Sequence, residues 1–267
     1  MPDVRTLVPE PVRALIPGAL KRRHEAWSTR RFLRSANAVN ERYVERYGLE
    51  VRRGPFAGLR YLPELMHDSG DNVAKMVGTY ELEVYGVLRR WIDRGLDHVV
   101  DVGCAEGFYA VGLAVASPAT TVHAYDIEPR QRERCARLAA HNGVAARVRI
   151  GDACPPEALA AFPPDGVALL IDAEGYERTL LDPAAAPRLL GWEVLVELHD
   201  FIDPSISALV RRRFAPSHEI EVFDAAPRTG LDLPELDELA PGERALILSE
   251  RRPAAMQWAW LRPRGQS

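Results

Sequence analysis

From residue 98 to residue 261 the chain alternates short apolar runs of strand character with longer stretches of helical character, and that alternation limits the fold more than any other feature. The strand-type runs lie at 98–102, 121–125, 147–150, 167–171, 193–198, 219–223 and 257–261. Helical stretches at 109–116, 129–141, 156–161, 176–190 and 205–214 separate most of them. Parallel neighbours need a crossover, so strands and helices in regular succession predict a parallel sheet covered on both faces. The last two runs lack a clear crossover helix of the usual length and are expected to close the sheet as an antiparallel hairpin. Ahead of the alternation, Val73, Met76, Val77, Tyr80, Val84, Val87, Leu88 and Trp91 recur every three or four residues after Asp68-Ser69-Gly70-Asp71. This spacing predicts one amphipathic helix, ended by Gly95. Gly54-Pro55 and Gly58 mark a hairpin over 51–62.

At 267 residues, 47% hydrophobic and 27% charged, the chain can bury a full core, which excludes disordered and fibrous classes. Cys104, Cys135 and Cys154 show no paired spacing, so reduced thiols in a cytoplasmic protein are expected. The apolar patch at 12–20 is interrupted by Arg13 and Pro17 and falls short of the roughly 20 residues that span a bilayer, so no membrane segment is expected. Residues 1–60 carry thirteen Lys/Arg against six Asp/Glu, a balance of +7, while the whole chain is at −4. Lys21, Arg22, Arg23, Arg30, Arg31 and Arg34 interleave there with Trp27 and Phe32. That pattern reads first as the solvated face of an amphipathic helix, and second as a track for an anionic partner.

The strongest chemical signal is the run from Asp101 to Tyr109, Asp-Val-Gly-Cys-Ala-Glu-Gly-Phe-Tyr, which follows the first strand and opens a helix. Glycines let the backbone turn tightly and approach a ligand, and the helix start adds free amides. Asp126, at the end of the second strand, has the spacing of a carboxylate that accepts both hydroxyls of a ribose. Asp152 follows the third strand, where a carboxylate can take an adenine amino group. A dinucleotide site would show G-x-G-x-x-G; here Gly103 and Gly107 are four apart, Ala105 takes the middle place and Gly112 falls too late.

These residues resemble the motifs of class I S-adenosylmethionine-dependent methyltransferases over roughly 95–262. The resemblance implies a Rossmann-like, seven-stranded, mostly parallel sheet in a catalytic domain over 96–267, with an N-terminal helical lid and substrate region over 1–95. It implies a cofactor site of Asp101, Gly103, Ala105, Glu106, Gly107, Asp126 and Asp152 for S-adenosylmethionine. Within the class, Ile171-Asp172-Ala173-Glu174-Gly175-Tyr176-Glu177 looks like the D-x-E-G-x-E segment of FkbM-type enzymes, which act largely on small molecules and sugars.

The acceptor is expected past the fourth and fifth strands. Strand side chains alternate, so Glu197 and His199 share one face, and Asp172 ends the neighbouring strand. Two carboxylates and an imidazole suit a divalent metal such as Mg2+, with Asp172, Glu197 and His199 as ligands; His199 is alternatively a general base, with Asp172 beside it. Glu177 reads as a helix-start carboxylate favoured by the dipole. Tyr80 reads as a lid or core residue, His67 as a lid or loop residue, and Arg251-Arg252 as surface charges or an anion clamp. The expected activity is methyl transfer to an oxygen, or next a nitrogen, of a small molecule, with a homodimer left open. An RNA methyltransferase and a non-catalytic cofactor-binding module are the alternatives, although nucleic acid and membrane are not the expected partners.

Overall fold

The computed structural model describes residues 18–67, 72–225, 228, 230–248, 250 and 256–265, with side chains from residue 31 onward. The N-terminal part comprises α1 (Gly18–Tyr47), α2 (Asn72–Met76) and α3 (Tyr85–Arg94). The alternating part runs β1 (His98–Val102), α4 (Phe108–Ala116), β2 (Thr121–Tyr125), α5 (Pro129–His141), β3 (Val148–Gly151) and β4 (Val167–Ile171). It continues through α6 (Glu177–Leu180), β5 (Glu193–Leu198), α7 (Ile206–Phe214), β6 (His218–Asp224), α8 (Pro241–Ile247) and β7 (Gln257–Pro263). Among the described residues, no helix is long and apolar enough to cross a membrane.

The seven strands form one Rossmann-like sheet in the order β3-β2-β1-β4-β5-β7-β6. β1 to β5 are parallel, and β7 lies antiparallel between β5 and β6. All seven expected strands are present within a residue or two, and the closing antiparallel pair is as the missing crossover implied. β4, Val-Ala-Leu-Leu-Ile, is buried throughout, as a central parallel strand covered on both faces must be. Alternation sorts the side chains cleanly: Val99, Ala168, Leu170 and Leu195 pack on one face, and Val100, Val102, Leu169, Ile171, Val194 and Val196 on the other. Residues from Val39 to Leu96 join the first of these cores, so the N-terminal segment shares apolar packing with the sheet.

Four local expectations are corrected. The 73–91 periodicity belongs to two helices, because the chain leaves α2 through Gly78 at φ 71°. Thr79 N–H reaches back to Ala74 O at 2.8 Å and Gly78 N–H to Lys75 O at 3.2 Å, the paired bonds of a helix C-terminus closed on a left-handed residue. A side chain at 78 would meet the carbonyl of Arg53. The stretch 176–190 is α6 followed by a 3-10 turn at Pro187–Gly191, since Pro183 and Pro187 deny the helix its amide donors. The segment 156–161 is likewise a 3-10 turn. The hairpin expected over 51–62 reduces to a single antiparallel bridge, Glu50 to Arg60.

In α1, Ala36, Val39, Asn40 and Tyr43 are buried at helical spacing while Arg31 and Arg34 are exposed, which is the amphipathic face expected there. The side chains of Lys21, Arg22, Arg23, Trp27 and Arg30, and the helix start at Asp68–Asp71, lie outside the described residues. Described residues of the N-terminal segment pack on α4. Phe56 and Tyr80 set their rings edge-on to Phe108, at 5.2 and 5.5 Å.

One link between the two parts is a buried ion pair. Lys75 donates to Glu106 Oε1 at 2.6 Å with both side chains largely buried, Tyr61 OH adds a bond at 3.2 Å, and the ammonium lies over the Tyr80 and Phe108 rings. Removing one partner of a buried pair strands the other charge, which costs about 3–5 kcal/mol. Lys75→Met is expected to lose stability on that scale in urea unfolding, and the double variant with Glu106→Gln to recover more than half of the loss.

Candidate active site

The site begins where β1 ends. Gly103 turns at φ 87°, and a Cβ there would sit 1.7 Å from the carbonyl oxygen of Asp172 at the end of β4. Only glycine permits that approach. The amides of Gly103 and Cys104 both donate to Tyr125 O, and Ala105 continues the turn at φ 46°. Asp126 secures this loop: its Oδ2 accepts the Ala105 N–H at 2.9 Å and its Oδ1 the Glu128 N–H at 2.8 Å.

A cleft of about 550 Å3 opens at the carboxyl edge of β1, β2, β3 and β4, where ligands of open α/β sheets bind. Gly103, Ala105, Asp126, Asp152 and Asp172 line it, so five of the residues singled out in the sequence converge there. Tyr176, from the segment marked after the fourth strand, also lines it, as does Ile127, 78% exposed, which was not anticipated, since an apolar side chain beside a turn has no periodicity to betray it. Asp101, Glu106 and Gly107 are absent from the lining. Glu106 is engaged by Lys75 and Tyr61, and Gly107 starts α4.

Asp101 lies on the same sheet face as Val99, fully buried beneath the loop, where the backbone N–H of Ala110 is the donor that faces its carboxylate. Burial, aided by the charges of Asp172 and Asp126, pushes its carboxyl up to about 8.

Beside the cleft, Asp172, Glu197 and His199 come together as their strand positions implied. One ligand atom from each lies within 4.8 Å of the other two. His199 is 1% exposed; its Nε2 is 3.4 Å from both Asp172 Oδ1 and Glu197 Oε2, and 3.8 Å from Glu174 Oε2. Its Nδ1 is 2.9 Å from Glu177 Oε1. Burial presses the imidazole pKa down, but the bond to Glu177 and the charges of Glu177, Asp172 and Glu174 outweigh it, and the net shift is upward. Glu177 is fully buried and belongs to this cluster, which corrects its reading as a simple helix-start charge. Sequence spacing hid it because the turn after β4, with Glu174 at φ 49° and Gly175 at φ 102°, folds it back toward β5.

The other marked residues fall elsewhere. His67 is exposed, Tyr80 packs on Phe108, and Arg251 and Arg252 lie outside the described residues.

No protein-family model matches the chain, and no curated protein does. Solved structures similar in fold include an O-methyltransferase from Bacillus cereus in complex with SAH, at 11% identity, covering 66% of this chain and 79% of that one, TM-score 0.43. A second is the O-methyltransferase of tomaymycin synthesis from Streptomyces achromogenes in complex with SAM, at 16%, 66% and 78%, TM-score 0.45. A third is an rRNA methylase from Streptococcus thermophilus, at 12%, 68% and 96%, TM-score 0.46.

A carboxyl whose folded pKa lies above its unfolded value keeps its proton in the folded chain over the intervening window, here from the ordinary aspartate value up to about 8. The folded state then binds more protons than the unfolded one, so this residue's contribution to stability falls as pH rises through the window and levels off above it. Urea unfolding at about pH 5 and about pH 9 is expected to show a smaller loss of stability in Asp101→Asn than in the parent, by a few kcal/mol at most.

Proposed function

We propose that this protein is an S-adenosylmethionine-dependent methyltransferase that methylates an oxygen, or next a nitrogen, of a small molecule. The observation that carries the reading is the cleft itself: a positive-φ loop and two carboxylates, one after each of β2 and β3, open directly onto an acid–imidazole cluster at the ends of β4 and β5. Asp126 has lone pairs left after accepting two backbone amides and is placed for vicinal ribose hydroxyls. Asp152, exposed at the far end, is placed for an adenine amino group, and Ile127 offers an apolar surface for the base. The cleft volume falls in the range of small-molecule sites. An antiparallel β7 between β5 and β6 also sets this sheet apart from the all-parallel dinucleotide order.

When bound, the cofactor supplies a sulfonium methyl, an electrophilic carbon that needs an in-line lone pair. An acceptor hydroxyl beside His199 would lose its proton to Nε2 as the oxygen–carbon bond forms and the sulfur–carbon bond breaks. Asp172, which touches both cleft and cluster, would orient the hydroxyl. The same donor set fits a hard divalent ion such as Mg2+: Asp172, Glu197 and His199 would hold it, and it would supply a lowered hydroxyl pKa in place of the base. The turn from Asp172 to Glu177 is what supports the FkbM-like placement. Five acids, Asp126, Glu128, Asp152, Asp172 and Glu174, line the cleft, and among the described residues no Lys or Arg does, an unfavourable field for a phosphate backbone. Three buried, unbridged cysteines fit a cytoplasmic setting.

The test is a thermal-shift titration with S-adenosylmethionine, S-adenosylhomocysteine and NAD. A ligand at about 100 times its Kd adds about 2.7 kcal/mol, a rise of several degrees. The adenosyl ligands are expected to stabilise the parent and not Asp126→Ala, with NAD inert; stabilisation by NAD alone, or by none of the three, would overturn the reading. Addition of Mn2+ with an electron paramagnetic resonance readout is expected to show ion binding that Asp172→Asn abolishes if the cluster works through a metal.

A further inference from the structure

We propose that Glu177 is a positioning residue: its buried carboxylate accepts the Nδ1–H of His199, and so fixes the neutral ring as the Nδ1–H form with its Nε2 lone pair turned toward Asp172 and Glu197. The catalytic meaning of this rests on the reading of His199 given above. The hydrogen-bond arrangement does not.

The direction of the bond follows from what else Glu177 holds. Its Oε1 lies 2.9 Å from Nδ1 and also accepts the N–H of Ala173 at 3.1 Å, a group that can only donate. An oxygen that accepts from a backbone amide presents a lone pair, and such an oxygen can meet Nδ1 only if that nitrogen carries the proton. With Nδ1 unprotonated, two lone pairs would face each other at 2.9 Å between side chains of 0% and 1% exposure, with no room for water to intervene. Left to the other groups, the ring would choose the opposite form. Asp172 Oδ1, Glu197 Oε2 and Glu174 Oε2 all face Nε2, at 3.4, 3.4 and 3.8 Å, and each is an acceptor that would draw a proton to that nitrogen. Three carboxylates therefore compete with one, and the one prevails by being closer and fully desolvated.

The fold supplies Glu177 for this purpose from the same turn that carries Asp172 and Glu174. The left-handed residues Glu174 and Gly175 reverse the chain after β4, the Tyr176 N–H closes the turn on Ala173 O at 3.0 Å, and Glu177 then points back beneath His199. The ring is also flanked by Phe201, its centroid 5.7 Å away, which limits how far it can tilt. A histidine whose far nitrogen is held by a carboxylate presents its near nitrogen in a fixed direction, as a proton acceptor or as a ligand.

The experiment is the long-range 1H–15N spectrum of the histidine rings in the intact protein at alkaline pH, with His199 assigned by its loss in His199→Gln. The parent is expected to show a protonated-type shift at Nδ1 and an unprotonated one at Nε2. Glu177→Met, which keeps the length and removes the acceptor, is expected to reverse the two shifts. Glu177→Gln keeps an oxygen for both donors and is expected to retain the parental form, with the Nδ1 proton moved upfield as its acceptor loses its charge. A parent ring protonated at Nε2, an unchanged pattern in Glu177→Met, or an unmoved Nδ1 proton in Glu177→Gln would each overturn the proposal. If Glu177→Met fails to fold, Glu177→Gln alone decides it. Loss of adenosyl-ligand binding by the parent would sink the methyltransferase reading and leave this result untouched.

Discussion

The contact on which the rest depends is the one between residue 103 and the carbonyl of Asp172, where the backbone after β1 passes against the backbone after β4 with no space for a side chain. The two strands are neighbours in the sheet but distant in sequence, because the chain builds outward from β1 through β2 and β3 before returning to lay β4 on the other side. Their loops must therefore leave in opposite directions. A crevice opens at that divide, and the close approach of 103 to 172 decides that its floor is backbone. One wall then carries Ala105, Asp126 and Asp152, and the other Asp172 and Glu174.

Charge follows the same division. Away from this edge, buried ions are matched. Lys75 meets Glu106, Arg228 meets Glu83 and Glu250, and Glu193 is held by Arg94 and by the indoles of Trp91 and Trp260. At the carboxyl edge the balance is abandoned. Asp101 is driven toward its neutral form, while Asp172, Glu174, Glu177 and Glu197 gather around a single imidazole whose pKa Glu177, Asp172 and Glu174 hold up. Such a concentration of like charge costs folding energy, and its place at the open end of the sheet is where a bound cation or a transferred proton can offset that cost.

What could be read beforehand was whatever a strand's period of two transmits. The strands themselves, the pairing of Glu197 with His199 on one face, and the arrival of Asp172 beside them follow from alternation and from parallel neighbours ending at one edge. What could not be read depends on backbone excursions that no period records. Gly78 split an apolar stripe that counting alone would carry through. Glu177 reached His199 only because a turn with a left-handed glutamate bent it back, and Asp101, typical in its position, lies fully buried and outside the cleft lining. Ala105, in the place where a glycine was the usual choice, adopts the left-handed geometry all the same, because Asp126 takes hold of its amide.

The position of β7 has a bearing on how the molecule is made. Among the described residues, β6 meets the sheet only through β7, and β5 on that side has no other neighbour, so both wait on residues 257–263. During synthesis the edge of β5 stays open from residue 198 until residue 257 has emerged, an interval of several seconds at roughly 5–20 residues per second. The half of the sheet around β1 to β4 can assemble in the meantime from closer neighbours. The side of the sheet whose Glu197 pairs across to Trp258 is finished last, and a chaperone that shields an apolar strand edge would find its longest window there.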